Sequence, residues 1–291
     1  MRIAIASGKG GTGKTTIATS LALSLATCED VHYVDCDVEA PNGHIFLKPQ
    51  ITQQSNAVIR IPVINIDICS LCGRCVEVCQ FHALAKIGKT IMPFPQLCHG
   101  CGSCSINCPE HAITELAKPI GVIESGVAAQ GLIFSQGHLN ISEPMATPII
   151  KQLKRTIPTN KSIVVLDAPP GASCSVVETL RNVDFVLLVA EPTPFGMHDL
   201  KQMIGIVTEM RIPTGVIINR GKASFKPLED LCSDYQIPIL MHIPFNRRIA
   251  AGLAEGLTLI EINPDFSQRL QDVYHHISSM IASNKDDHAS T

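Results

Sequence analysis

Cys69, Cys72, Cys75 and Cys79 form a C-x2-C-x2-C-x3-C run, and Cys98, Cys101, Cys104 and Cys108 repeat it, with Pro109 following. Thiolates are metal ligands, and two-residue gaps in a tight turn aim neighbouring side chains at one centre. Four cysteines per run, written twice at identical spacing, favour a pair of iron–sulfur cubes. C-x2-C also binds Zn2+, so two zinc sites are the competing reading. A second chemistry stands near the N-terminus. Gly8-Lys9-Gly10-Gly11-Thr12-Gly13-Lys14-Thr15-Thr16 fits the pattern G-x4-G-K-[ST]. Its glycines let backbone N–H groups close around phosphate oxygens, and the helix that follows adds its dipole. Lys14 is expected on the β- and γ-phosphates of a nucleotide and the Thr15 hydroxyl on Mg2+.

These residues need elements to hold them. Apolar, β-branched runs read as buried parallel strands: Arg2–Ala6, Val31–Asp35, Ser162–Asp167, Asp184–Ala190, Thr214–Asn219 and Pro238–Ile243. Helical periods lie between them, at Thr15–Leu25, Val176–Arg181, Met197–Met210 and Pro227–Tyr235, and a last helix spans about Pro264–Ala282. The alternation predicts an α/β fold with a doubly wound, mostly parallel sheet. Residues 61–117 break the alternation. They are expected to form a small inserted α+β domain between two parts of a discontinuous phosphate-binding domain, 1–60 and 118–283, with 284–291 a disordered tail. So small a segment has little apolar core of its own, and cluster binding would supply the missing stability. The trailing Phe81-His82-Ala83-Leu84 and Glu110-His111-Ala112-Ile113 extend the repeat and suggest a pseudo-twofold arrangement.

The 291-residue chain is 45% hydrophobic, enough for a sizeable core. A net charge of −3 without a basic run, with 4% aromatics and no Trp, gives no footing for nucleic acid. The N-terminus lacks a cleavable signal architecture, and no apolar run approaches membrane-spanning length. The expectation is a cytoplasmic protein with no membrane anchor, in which dense cysteine means metal rather than disulfides. Cys28, Cys36 and Cys232 read as small core residues, and Cys174 as buried. His82, His99 and His111 read as surface or packing residues, since the thiolates complete the ligand count.

Lys9 and the motifs around it make the chain resemble the deviant Walker A ATPases, the MinD, ParA and Mrp superfamily that includes the nitrogenase iron protein. The cysteine runs resemble those of bacterial two-cluster ferredoxins; the departure is Gln80, where the first run would carry Pro. The combination is similar to MinD-superfamily P-loop ATPases with an inserted ferredoxin domain. The resemblance rests also on Asp35-Cys36-Asp37, Asp167-Ala168-Pro169-Pro170-Gly171 and Glu191-Pro192-Thr193-Pro194-Phe195-Gly196. It implies the following roles. Lys9 reaches across a nucleotide-sandwiched dimer to the partner's phosphates. Asp37 orients water, while Asp35 and Asp167 lie toward Mg2+. Gly171 meets the γ-phosphate, and Asn219 with Arg220 meets the base. In two-cluster ferredoxins the fourth cysteine of each run crosses over. That would group Cys69, Cys72, Cys75 and Cys108 on one 4Fe-4S cluster and Cys98, Cys101, Cys104 and Cys79 on the other.

The resemblance implies ATP binding and hydrolysis by a homodimer, or by a heterodimer with a paralogue, coupled to two 4Fe-4S clusters and a redox or cofactor-assembly partner. ATP-gated electron transfer is the first expectation. Iron–sulfur or metallocofactor assembly is the alternative, lowered because ferredoxin spacing suggests retained cubes. Spatial organisation as in MinD is disfavoured, because the end Asn284-Lys285-Asp286-Asp287-His288 is neither basic nor apolar. Amide synthesis is disfavoured too, for want of a glutaminase-like segment.

Overall fold

The computed structural model describes residues 1–158, 163–221 and 225–289, and from residue 284 onward the backbone alone. Among the described residues there are eleven strands: β1 (Arg2–Ala6), β2 (Val31–Asp35), β3 (Gln50–Ile64), β4 (Leu84–Ile87), β5 (Thr90–Pro93), β6 (Ile113–Val127), β7 (Ile133–Leu139), β8 (Ile163–Asp167), β9 (Phe185–Ala190), β10 (Thr214–Gly221) and β11 (Ile239–Pro244). Nine make one sheet, in the order β11-β10-β9-β1-β8-β2-β7-β6-β3, while β4 and β5 pair as a separate hairpin. From β11 to β7 every pairing is parallel; β6 and β3 close the edge antiparallel.

The parallel strands are buried on both faces, which is why they read as unbroken apolar runs. One face packs Ile3, Ile5, Tyr33 and Phe134 against the helices Lys14–Leu25 and Asp265–Ala289. The other packs Ala4, Val34, Leu166 and Val186 against Thr147–Arg155, Cys174–Leu180 and Pro194–Glu209. Two cores on opposite faces of a mostly parallel sheet make this an α/β doubly wound fold.

The strand expectations hold for β1 and β2 and shift by a residue or two at β9, β10 and β11; Ser162, before β8, lies outside the described residues. The edge was not expected. β3 and β6 are 15 residues each and pair from Gln50↔Val127 to Ile64↔Ile113. The boundaries placed at 60/61 and 117/118 therefore fall inside one continuous antiparallel ribbon. β6 meets β7 only from Gly121 onward. Ile113–Ile120 and its partners in β3 overhang the sheet, a ribbon roughly 25 Å long at ~3.3 Å per residue. Because β6 runs antiparallel to β7, the overhang leaves the sheet at the C-terminal ends of the parallel strands, the edge that carries the phosphate loop. The cysteine runs sit at its far end. The closing helix runs to Ala289 rather than about Ala282, so the segment expected as a disordered tail is helical backbone as far as it is described.

Candidate functional site

The phosphate loop follows β1 and ends at Gly13, with φ +96° at the N-terminal cap of the helix Lys14–Leu25. A side chain there would be strained by its backbone, and its Cβ would lie 2.3 Å from Asn219 Nδ2. The first N–H groups of a helix have no intrahelical acceptor and so remain free for an anion. Lys14 is buried, at 6% exposure, with Thr12 at 2%. The Thr12 hydroxyl and Asp167 Oδ1 are buried without a hydrogen-bond partner. Orphaned buried donors and acceptors around a buried lysine are what a site built for phosphate and Mg2+ leaves when neither is present, so the residues fit MgATP.

Asp35 and Asp167 end adjacent strands and stand opposite each other in the β2–β8 register. Asp35 is fully enclosed, and its carboxylate accepts N–H bonds from Asp37 (3.1 Å), Asn42 (3.0 Å) and Gly43 (2.9 Å). It shapes the loop after β2. Burial first, then the neighbouring Asp167 charge, pushes its pKa up to about 8. Burial also raises Asp167, against the opposing Lys14 charge and the hydroxyls of Thr15 and Tyr33. The Tyr33 hydroxyl donates to Asp167 Oδ2 at 3.0 Å. Asp37 is only partly buried; burial raises its pKa and the Lys14 charge opposes the rise. It is the more accessible carboxylate of the three. Gly171, with φ +88°, donates its N–H to Ser7 O at 3.1 Å and ties the loop after β8 to the phosphate loop.

Lys9 pairs with Glu191 at 3.3 Å, and Arg220 pairs with the same carboxylate at 2.8 Å. Within one chain, Lys9 therefore turns toward β9. Asn219 donates its amide to Thr12 O at 2.7 Å, so the expected base-side residue also holds the phosphate loop. Sequence reasoning assigned no role to Glu191, although its place just past the end of β9 was a signal.

The cysteines form two groups around two cavities. Cys79, Cys98, Cys101 and Cys104 line one of about 20 Å³, with Arg60, Pro62 and Glu115 of the ribbon. Cys69, Cys72, Cys75 and Cys108 line another of about 10 Å³, with Ile64 and Ile113 at the ribbon's end. Each cavity combines three cysteines of one run with the last cysteine of the other. A single Zn2+ would draw four sulfurs to about 2.3 Å from one point; among the described residues no three His, Cys, Asp or Glu groups converge to hold one ion. The residues fit a multi-atom cluster better than an ion.

The backbone repeats as the cysteines do. Leu71 and Gly100, Gly73 and Gly102, and His82 and His111 all have positive φ. Ala83 and Ala112 donate N–H groups to the sulfurs of Cys79 and Cys108, at 3.2 and 3.3 Å. The repeat breaks at the cavity mouths: Phe81 stacks on His99 at 3.6 Å over the first, where Glu110 and Ser70 stand at the second. Burial raises the thiols of Cys75, Cys98 and Cys104, the last to about 11, so loading these sites releases protons. Two expectations are corrected. Cys174 and Cys28 are exposed, the first at the start of a helix and the second in the turn that follows one, whereas Cys36 and Cys232 are buried as expected.

A phosphate loop after the first strand, acidic residues at two neighbouring strand ends and a mostly parallel sheet define a P-loop nucleotide-binding protein. The chain belongs to the CobQ/CobB/MinD/ParA nucleotide binding domain family, which matches residues 3–260. An uncharacterised protein of Methanocaldococcus jannaschii is 32% identical over 97% of this chain and 98% of its own length. An iron-sulfur cluster carrier protein of Helicobacter pylori is 22% identical over 98% of this chain and 70% of its own. Among solved structures, the septum site-determining protein MinD of Pyrococcus horikoshii, complexed with Mg-ADP, superposes with a TM-score of 0.59 at 16% identity, covering 96% of each chain. The fold is thus that of the MinD/ParA-type ATPases. Among the described residues no helix is long and apolar enough to cross a membrane.

Proposed function

We propose that this chain hydrolyses ATP and couples its nucleotide state to two 4Fe-4S clusters held by the insert, with ATP-gated electron transfer as its task. The observation that carries the reading is two cysteine-walled cavities on a ribbon rising from the nucleotide-bearing edge of the sheet. The backbone from Gly8 to Gly13, with Lys14, Thr15 and Thr16, holds the phosphates. Thr15 and Asp167 face Mg2+, with Asp35 behind them. Asp37 positions water, Gly171 meets the γ-phosphate, and Asn219 and Arg220 meet the base. The two cysteine quartets hold the clusters, which supply one-electron storage when bound.

Lys9 completes the site across a nucleotide-dependent homodimer, or a heterodimer with a paralogue. A second cation stabilises charge developing on the transferred phosphoryl group. An apolar rim supports such a face. Ile45, Ile141 (98% exposed), Phe195 (80% exposed) and Phe245 all follow the C-terminal ends of parallel strands, on the edge of the sheet that carries the phosphate loop.

A second reading, delivery of clusters to another protein, is favoured by the likeness to the Helicobacter pylori carrier. One experiment separates the two. The reconstituted protein is incubated anaerobically with MgATP and an apo-ferredoxin acceptor, and iron is then measured on each. Retained iron and a spectrum unchanged by the acceptor are expected; transfer of iron to the acceptor refutes the electron-transfer reading in favour of delivery.

A further inference from the structure

The coupling just proposed needs a physical link between the nucleotide site and the insert, and one helix packs both on the ribbon and on the helix that follows the Asp167–Gly171 loop. The helix Thr147–Arg155 lies against the root of the ribbon. Its Ile149 fills a notch made by two glycines: a Cβ on Gly121 would lie 2.4 Å from Ile149 Cδ1, and one on Gly137 2.8 Å from Ile149 Cγ2. At the same level the β3–β6 ladder is irregular, its register shifting between Ala57 and Val58, opposite Gly121 and Pro119. Proline has no N–H to give, and a bulge leaves ladder groups unpaired and bends the strand. Gln152 of the helix pairs both backbone groups of Val58: it accepts the Val58 N–H at 3.1 Å and donates to the Val58 carbonyl at 2.9 Å.

The helix's other contacts lead to the nucleotide site. Lys154 donates to three carbonyls at the end of the helix Cys174–Leu180: Glu178 at 2.9 Å, Thr179 at 2.8 Å and Arg181 at 2.6 Å. Lys151 lies 3.9 Å from the Glu178 carboxylate. Ile149, Ile150 and Leu153 share one core with Val176 and Leu180. Cys174–Leu180 begins three residues after Gly171, which is bonded to the phosphate loop.

Resting on the proposed coupling, we infer that Thr147–Arg155 is the bracket that passes movement of the Asp167–Gly171 loop to the bulged root of the ribbon, with Lys154 and Gln152 as its two positioning residues. A displacement of the loop carries Cys174–Leu180. Lys154 grips the carbonyls of that helix with charge-assisted bonds. Gln152 and Ile149 hold the ribbon where its ladder is weakest, so the ribbon swings at Val58 rather than bending along its length. This path does not use the chain connection from β2 into β3.

The test compares wild type with Lys154→Met and Gln152→Leu, with Lys154→Arg as the conservative rescue. Bound iron, ATP turnover and cluster midpoint potentials by EPR are read with MgADP and with a non-hydrolysable ATP analogue. Wild type is expected to show a nucleotide-dependent shift that both variants lose and Lys154→Arg restores, iron content and basal turnover being kept. If wild type shifts and the variants shift equally, the bracket is wrong while the coupling stands. If wild type does not shift, the coupling and the bracket fall together. Should the variants not fold, hydrogen exchange on the wild-type protein decides. Protection at 57–59 and 120–121 must differ between the two nucleotide states, and identical protection overturns the inference.

Discussion

Gly13→Ala, combined with Asn219→Ala, tests the construction of the phosphate loop. Gly13 sits at φ +96°, where a side chain costs ~1–2 kcal/mol. Its new Cβ would fall 2.3 Å from Asn219 Nδ2 and force that amide off its 2.7 Å bond to Thr12 O. Losing a bond of this kind costs ~1 kcal/mol. The single substitution is therefore expected to destabilise the nucleotide-free protein by about 2–3 kcal/mol. At ~2–4 °C per kcal/mol for a large domain, Tm falls by about 4–12 °C. Asn219→Ala alone costs ~1 kcal/mol for the same bond. In the double variant the bond is counted once and the clash is gone, so the two effects fall short of additivity by about 1 kcal/mol. The assay is thermal unfolding of the four proteins by far-UV circular dichroism without nucleotide. Strict additivity would refute the claim that Gly13 is required by the Asn219 amide as well as by its own backbone.

Three further expectations follow from the geometry. Cys108→Ser should reproduce the EPR and iron loss of Cys72→Ser, and Cys79→Ser that of Cys101→Ser; loss that follows the sequence runs instead would refute the crossed grouping. Lys9→Ala should still bind MgATP in calorimetry yet lose turnover at every protein concentration, and turnover equal to wild type would remove Lys9 from the reaction. Its ion pair with Glu191 is partly exposed, so its loss should move Tm little. The third concerns pH. Asp35 has a folded pKa near 8 against 3.8 for the free group, so between those values the folded state holds the extra proton. Its contribution is complete at low pH and is lost as pH rises through about 8. Nucleotide-free Tm should decline across that window and Asp35→Asn should flatten the decline; an equal slope in the variant would place the cause elsewhere.

The sequence made the parallel strands legible because burial on both faces leaves them continuously apolar, as in Ile3-Ala4-Ile5-Ala6 and Val164-Val165-Leu166. The phosphate loop and cysteine runs were legible because their chemistry fixes residue type at each position. The ribbon was not. β3 opens with Gln50-Ile51-Thr52-Gln53-Gln54-Ser55-Asn56, all exposed, so no apolar alternation marks it as a strand. The antiparallel edge and the overhang that sets the insert's position were hidden for that reason. Cys174 and Cys28 were misplaced because cysteine is commonly buried, and composition does not show which way a helix end faces. Glu191 escaped notice because its role depends on Lys9 and Arg220, distant in the chain, meeting at one strand end. Gln152 escaped likewise, since the bulge it satisfies exists only once β3 and β6 are in register.

The central claim is that nucleotide and clusters are coupled, and an anaerobic redox titration followed by EPR tests it most directly. The protein is titrated once with MgADP and once with a non-hydrolysable ATP analogue. The account requires the midpoint potential or line shape of at least one cluster to change between the two titrations. The cavity lined by Arg60, Pro62 and Glu115, nearer the sheet, is the expected one to respond. Two cubes with identical potentials and spectra in both states would contradict it and leave the insert a passive relay on an ATPase that ignores it.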